Sequence, residues 1–205
     1  MIAYLLMGIT FAFAAAVQPG PLFTFIVSKA LSHGWKSTLP AAFAPLLSDG
    51  PIFLLVIFVL SNVSAGFIHV IQFAGGLFLL YLAYKAYKAW QLYNPDKIID
   101  KQSGRQTIIN AAMVNILNPN PYIGWSLVMG PLFLTGWNES SVKGLALIFG
   151  FYCTIIITMM GIIILFSAAR RFGPKISRVL IGISAAALFL FGVYELYLAM
   201  EYFIE

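Results

Sequence analysis

The chain has 205 residues, 61% of them hydrophobic and only 9% charged, with 12 Lys and Arg against 7 Asp and Glu. A soluble domain carries about 25% charged residues, so a fully water-solvated surface is excluded and a bilayer is the expected solvent. The cations are too few and too scattered for nucleic-acid binding. A lone Cys153 and two histidines, His33 and His69, leave no disulfide, Cys-pair redox motif or His-rich metal site, and no cofactor is expected.

A membrane crossing needs roughly 20 apolar residues, and six segments qualify: about 2–28, 39–60, 66–88, 108–134, 142–168 and 177–199. The first is interrupted by Gln18-Pro19-Gly20-Pro21. A cleavable signal peptide ending near Ala14-Ala15-Ala16 is the rival reading, but the positive n-region it needs is missing. A turn with Lys29, Gly34 and Lys36 leads to the second span, which carries Asp49 between Pro45 and Pro51. The third runs from Gly75-Gly76 to Tyr81 and Tyr84, and its Lys85 and Lys88 are expected to snorkel to the headgroups. Residues 89–107 form the one sizeable polar connection, and nothing is long enough for a second domain. The fourth span is broken by Asn118-Pro119-Asn120-Pro121. In the fifth, Cys153 and Met159-Met160 read as apolar packing, and in the sixth Glu195 reads as interfacial. Gly182 and Ala186 form a small-xxx-small pair for helix contact within one chain or in a homodimer.

Eleven of the twelve cations fall on alternate connections, leaving only Lys143 on the other side with Glu139, Glu201 and Glu205. The positive-inside rule therefore puts both termini on the non-cytoplasmic side of the cell membrane. The halves align at a nearly constant offset. Pro19 and Pro21 match Pro119 and Pro121, Gln18 matches Asn118, Phe25 matches Trp125, and Gly34-Trp35 matches Gly136-Trp137. Three spans per half invert the second half, as in many secondary transporters. The expected fold is an all-α integral membrane protein, one domain over 1–205. Its six transmembrane helices form two inverted three-helix repeats, about 1–92 and 105–205, each opening with a proline-broken helix.

A proline supplies no N–H, so each frees the carbonyl four residues earlier: Ala15 and Val17 in one break, Asn115 and Leu117 in the other. Each restarted half-helix directs unpaired N–H groups and a positive dipole end at the gap, where a carboxylate is stabilised. Paired interruptions of this kind are the sequence pointer to a transporter's binding site. The candidate substrate-binding residues are Gln18, Pro19, Gly20, Pro21, Asn115, Asn118, Pro119, Asn120 and Pro121, with Tyr122 and Ser126 as further polar groups at that level. Asp49, 13 positions beyond Lys36, lies roughly 20 Å into the membrane at 1.5 Å per residue. A carboxyl at that depth costs a few kcal/mol or more and marks a cavity, a partner or a proton path. Asp49 is the candidate proton-coupling residue.

The Pro19-Gly20-Pro21 break, Gly34 in a basic turn, Asp49, Gly75-Gly76 leading to Leu80-Tyr81-Leu82, and Asn118-Pro119 occur in this order on six short spans. In this the chain resembles, over essentially its whole length, the LysE family of amino-acid exporters, the lysine and homoserine/threonine exporter group. Many members of that family carry a Lys after the Asn-Pro. Here Asn120 stands there, and the Asn-Pro-Asn-Pro-Tyr form looks like a branch other than the lysine-exporting type, which leaves the substrate open. The resemblance implies export of amino acids or related small zwitterions, driven by the proton gradient or by exchange. The alternatives are an inorganic-ion or metal exporter and a non-transporting assembly subunit. An enzyme is not expected: thiol redox chemistry needs a second cysteine, and neither histidine lies where it would activate a nucleophile.

Overall fold

The computed structural model describes residues 1–58, 65–92, 103–169 and 173–204, and all regular structure among them is helical. Helices α1 (Ile2–Val17) and α2 (Pro21–His33) are one apolar run broken at residues 18–20 and bent by 63°. Pro21 opens α2 at a position where its missing N–H is not needed. Gly34, at φ +78°, turns the chain where a side chain would be strained. Then follow α3 (Trp35–Thr38), a 3-10 turn (Leu39–Phe43), α4 (Ala44–Phe58) and α5 (Ala65–Gln91). The second half runs α6 (Gly104–Ile116), α7 (Pro119–Gly124), a π-helical turn (Trp125–Met129) and α8 (Gly130–Glu139). Two long helices, α9 (Ser141–Ala169) and α10 (Pro174–Ile204), complete it.

The segments Trp35–Val56, His69–Gln91, Ser141–Ala169 and Lys175–Glu201 are each long and apolar enough to cross a membrane, and the bent α1–α2 pair makes a fifth if it counts as one crossing. The stretch expected at 108–134 differs. It is divided among α6, α7, the π turn and α8, because the Pro-x-Pro break stops α6 and the ladder then widens by one residue at Trp125.

α5 packs along α10, α1 along α9, and α6 against α4 and the 3-10 turn. Glycines set the closest approaches: a Cβ would come within 2.2 Å of the Leu147 carbonyl oxygen at Gly8, and within 2.9 Å of the Gly192 oxygen at Gly76. Lipid supplies no hydrophobic drive between helices, so such backbone proximity is what lets them associate. Phe25, Ile26, Leu31, Ile52 and Leu147 form the buried centre. Leu127, Ile157 and Leu165, each about two-thirds exposed or more, face outward.

Glu195, expected at the interface, is buried within the bundle on α10, and the Gln72 amide of α5 donates to it. Gly182 seats the Trp90 indole of α5, where a Cβ would lie 2.9 Å from Nε1, so this small residue serves contact within the chain. Lys85 and Lys88 are exposed and lie over the Tyr81 and Tyr84 rings at 4.6 and 4.8 Å. Lys97, Lys101, Arg170, Arg171 and Glu205, used in the charge argument, fall outside the described residues.

Candidate functional site

Both chain breaks border one cavity of about 140 Å³. The first break contributes Gln18, Gly20 and Pro21 to its wall, and the second contributes Asn118, Asn120 and Pro121. α4 adds Asp49 and α6 adds Asn115. Pro19 and Pro119 bend the chain but do not line the space: Pro19 is exposed, and Pro119 is buried as the first residue of α7. Ser126 is also off the wall, its hydroxyl buried in the π turn without a protein partner. Tyr122 donates its hydroxyl to the Ile116 carbonyl at 2.9 Å and braces the break from behind.

Asp49 is 3% exposed and sits in a small polar cluster. The Asn115 amide donates to its Oδ1 at 2.6 Å and to Ser48 Oγ at 2.7 Å, so one side chain ties α6 to α4. Ser48 Oγ also lies 3.3 Å from Oδ1 and donates to the Ala44 carbonyl at 3.0 Å. The Trp125 indole approaches the same carboxyl as a further donor. Asn115 and Trp125 donate to the carboxyl, and Ser48 has a single O–H to share between it and the Ala44 carbonyl; among these neighbours there is no cation to pair with it.

The two restarted helices differ as anion sites. In α2 the cap is Gly20, with no side-chain hydrogen bond, and the first-turn N–H groups belong to Leu22 and Phe23, both on the cavity wall. In α7 the first and third residues are Pro119 and Pro121, which have no N–H, and the Asn120 N–H is taken by Asn118 Oδ1 at 3.1 Å. Two mirrored donor ends are expected from the sequence; the geometry leaves the donors on α2 and makes the second break a wall of amide side chains. Of the freed carbonyls, Asn115 O accepts the Asn118 N–H at 3.2 Å. Leu117 O abuts Gly75 of α5, where a Cβ would come within 2.2 Å.

These broken helices around a buried carboxyl coincide with a match to the family model described as LysE type translocator, over residues 13–199. The chain belongs to the LysE type translocator family. Neither a curated protein nor a solved structure matches it. Membership makes the chain a multi-pass membrane transporter with a small-molecule substrate and a lipid environment.

In this translocator the rest of the cavity wall is apolar and escapes a search for polar groups. α9 contributes Phe151, Ile155 and Met159, one turn apart, and α1 contributes Phe11. Met159, read from sequence as packing, is therefore a wall residue. Trp125 joins them, its ring 5.0 Å from Phe53 and 5.3 Å from Phe151. A usable signal exists for Trp125, because it lies two helical turns beyond Asn118 and so returns to the same face. Nothing in the order of residues points to α9.

Proposed function

We propose that this translocator exports amino acids or related small zwitterions across the cytoplasmic membrane, coupled to protons at Asp49. The observation that carries the reading is the single cavity walled by both chain breaks and by Asp49. A zwitterion has two charged ends, and the wall offers a complement to each. Its carboxylate is stabilised by the uncapped first turn of α2, at Leu22 and Phe23. Its ammonium is stabilised by the Asp49 carboxylate, which gives up that role on taking a proton; binding and protonation thus compete for one group. At about 30 Å³ per water, the cavity holds roughly five waters, which suits a small solute.

The inverted-repeat architecture belongs to the same proposal. Exchanging the halves turns the α1–α9 contact into the α6–α4 contact and leaves α5–α10 unchanged, and all three pairs pack together. Rocking of one repeat against the other would open the cavity alternately to the two sides.

Counterflow in proteoliposomes against a panel of radiolabelled amino acids and analogues tests the reading. A small zwitterion is expected to exchange, and Asp49→Asn is expected to abolish the pH dependence of flux while the protein stays folded. Growth protection against added metals but not against amino acids would replace this substrate class with an inorganic ion. Absence of flux together with absence of any substrate-dependent thermal shift would make the chain a non-transporting subunit.

A further inference from the structure

A second acidic side chain lies inside the bundle, away from the cavity. Glu195 of α10 is 7% exposed and Gln72 of α5 is 6% exposed, and they meet in the seam between these helices. One end of the Gln72 amide donates to the carboxyl, yet Gln72 Oε1 and Glu195 Oε2 are both buried without a protein partner. The seam beside them is tight, since a Cβ on Gly76 would come within 2.7 Å of Leu196 and 2.9 Å of the Gly192 oxygen. Two bare acceptor oxygens in so closed a place are costly, and an ionised carboxylate there more so. A hard cation takes six or more oxygens, and two side-chain oxygens fall far short of that. A proton on Glu195 answers both demands: it removes the charge and turns an acceptor into a donor.

Among the described residues, no Lys, Arg, Asp or Glu lies within one turn of the pair on either helix. On α5 the nearest ionisable group is His69, one turn before Gln72, and on α10 Glu201 is exposed beyond the next turn. α2 also packs on α10, but it does so around Ile181, so its Lys29 and His33 lie about 20 Å down the helix from Glu195 at 1.5 Å per residue. The geometry points to Glu195 as an intramembrane proton-binding carboxyl, held in a two-residue site with Gln72 and separate from the substrate cavity.

This inference rests on the transporter reading only for what the proton does, not for whether it is held. Infrared difference spectroscopy of the purified full chain in lipid reads the second point directly, through the carbonyl stretch of a protonated carboxyl. At neutral pH such a band is expected to persist in Asp49→Asn and to vanish in Glu195→Gln. In Gln72→Met it should shift, because the hydrogen bond that tunes it is lost; this variant also decides the matter if Glu195→Gln does not fold. A spectrum of Glu195→Gln superposable on wild type would overturn the assignment, since Glu195 is then ionised and bridged by water. So would an unshifted band in Gln72→Met. In proteoliposomes, Glu195→Gln is expected to retain counterflow yet lose accumulation driven by a proton gradient; intact gradient-driven accumulation would reduce the pair to a helix fastener. A chain that moves no substrate at all would sink the proposed function and leave the infrared result standing.

Discussion

Asn115 is shared between two acceptors on a neighbouring helix, and this makes it the residue on which the polar cluster turns. Its replacement by Ala takes a donor from both Ser48 and Asp49 at full burial, and a lost hydrogen bond to a buried polar group costs about 1–3 kcal/mol. Asn115→Ala is therefore expected to lower the thermal midpoint in detergent by more than Asp49→Asn, which keeps the shape of the cluster. A midpoint of Asn115→Ala equal to that of wild type would mean that the two bonds contribute nothing to folding. Trp125→Phe separates two roles of one side chain. The ring stays between Phe53 and Phe151, while the donor facing Asp49 is lost. Stability should fall by about 1 kcal/mol, and substrate titrations should show weaker binding if the indole orients the carboxyl. The polar residues of the cavity were legible in the sequence because each violates an apolar background. Met159 and Phe151 do not violate it, so nothing marked them, and Trp125 is marked only by its helical spacing from Asn118.

At the scale of helices, the two interruptions look alike as text and differ as structure. A proline at the first position of a helix is harmless, and one more at the third removes a donor that a ligand would otherwise use. Only the second break has that extra proline inside the helical turn, and only it begins with an Asn able to cap itself. The break is also held from outside by α5, through Gly75 against the Leu117 carbonyl. Gly75→Ala drives a methyl group into backbone oxygen and is expected to cost about 1–3 kcal/mol by overpacking, read as a lower midpoint. Gly161→Ala is the matched control: its Cβ meets nothing within 4 Å, and removing a helix-interior glycine should gain up to ~1 kcal/mol. At the far end of α8, Glu139 accepts from Lys143 at 2.5 Å and from Tyr4 at 3.0 Å, joining α8 to α9 and α1. The Lys143 bond, then that of Tyr4, holds the Glu139 carboxyl below the usual range. Its contribution is thus present above ordinary carboxylate pKa values and is lost as pH falls through the lowered one. The pair is exposed, so the loss should be small and vanish in high salt.

Across the whole molecule, the orientation expected from the charge distribution is open to a direct reading. In a Cys153→Ser background, Asn138→Cys should react with a membrane-impermeant maleimide in intact cells, and Lys88→Cys only after permeabilisation. The reverse pattern would invert the topology and with it the side from which the cavity is loaded. The α5–α10 seam is the other feature of this scale: Gly76 and Gly192, more than a hundred positions apart in sequence, bring the two helices into backbone contact, with Trp90 laid on Gly182. Three features of one seam, its glycine contacts, its seated indole and its buried Glu195–Gln72 pair, were invisible as a set because they belong to different halves of the chain.

What the order of residues determined by itself is the solvent, the helical class, the places of both breaks and the family. Each of these rests on local composition or on spacing along one helix, and such properties survive without knowledge of the partner. Tertiary structure alone decided that the breaks share a cavity, that α9 closes it, that one half-helix keeps its donors and the other does not, and that Glu195 is buried. All of these depend on which faces meet, and in a bilayer, where lipid tails are as apolar as leucine, hydrophobicity gives no instruction about which face should meet which.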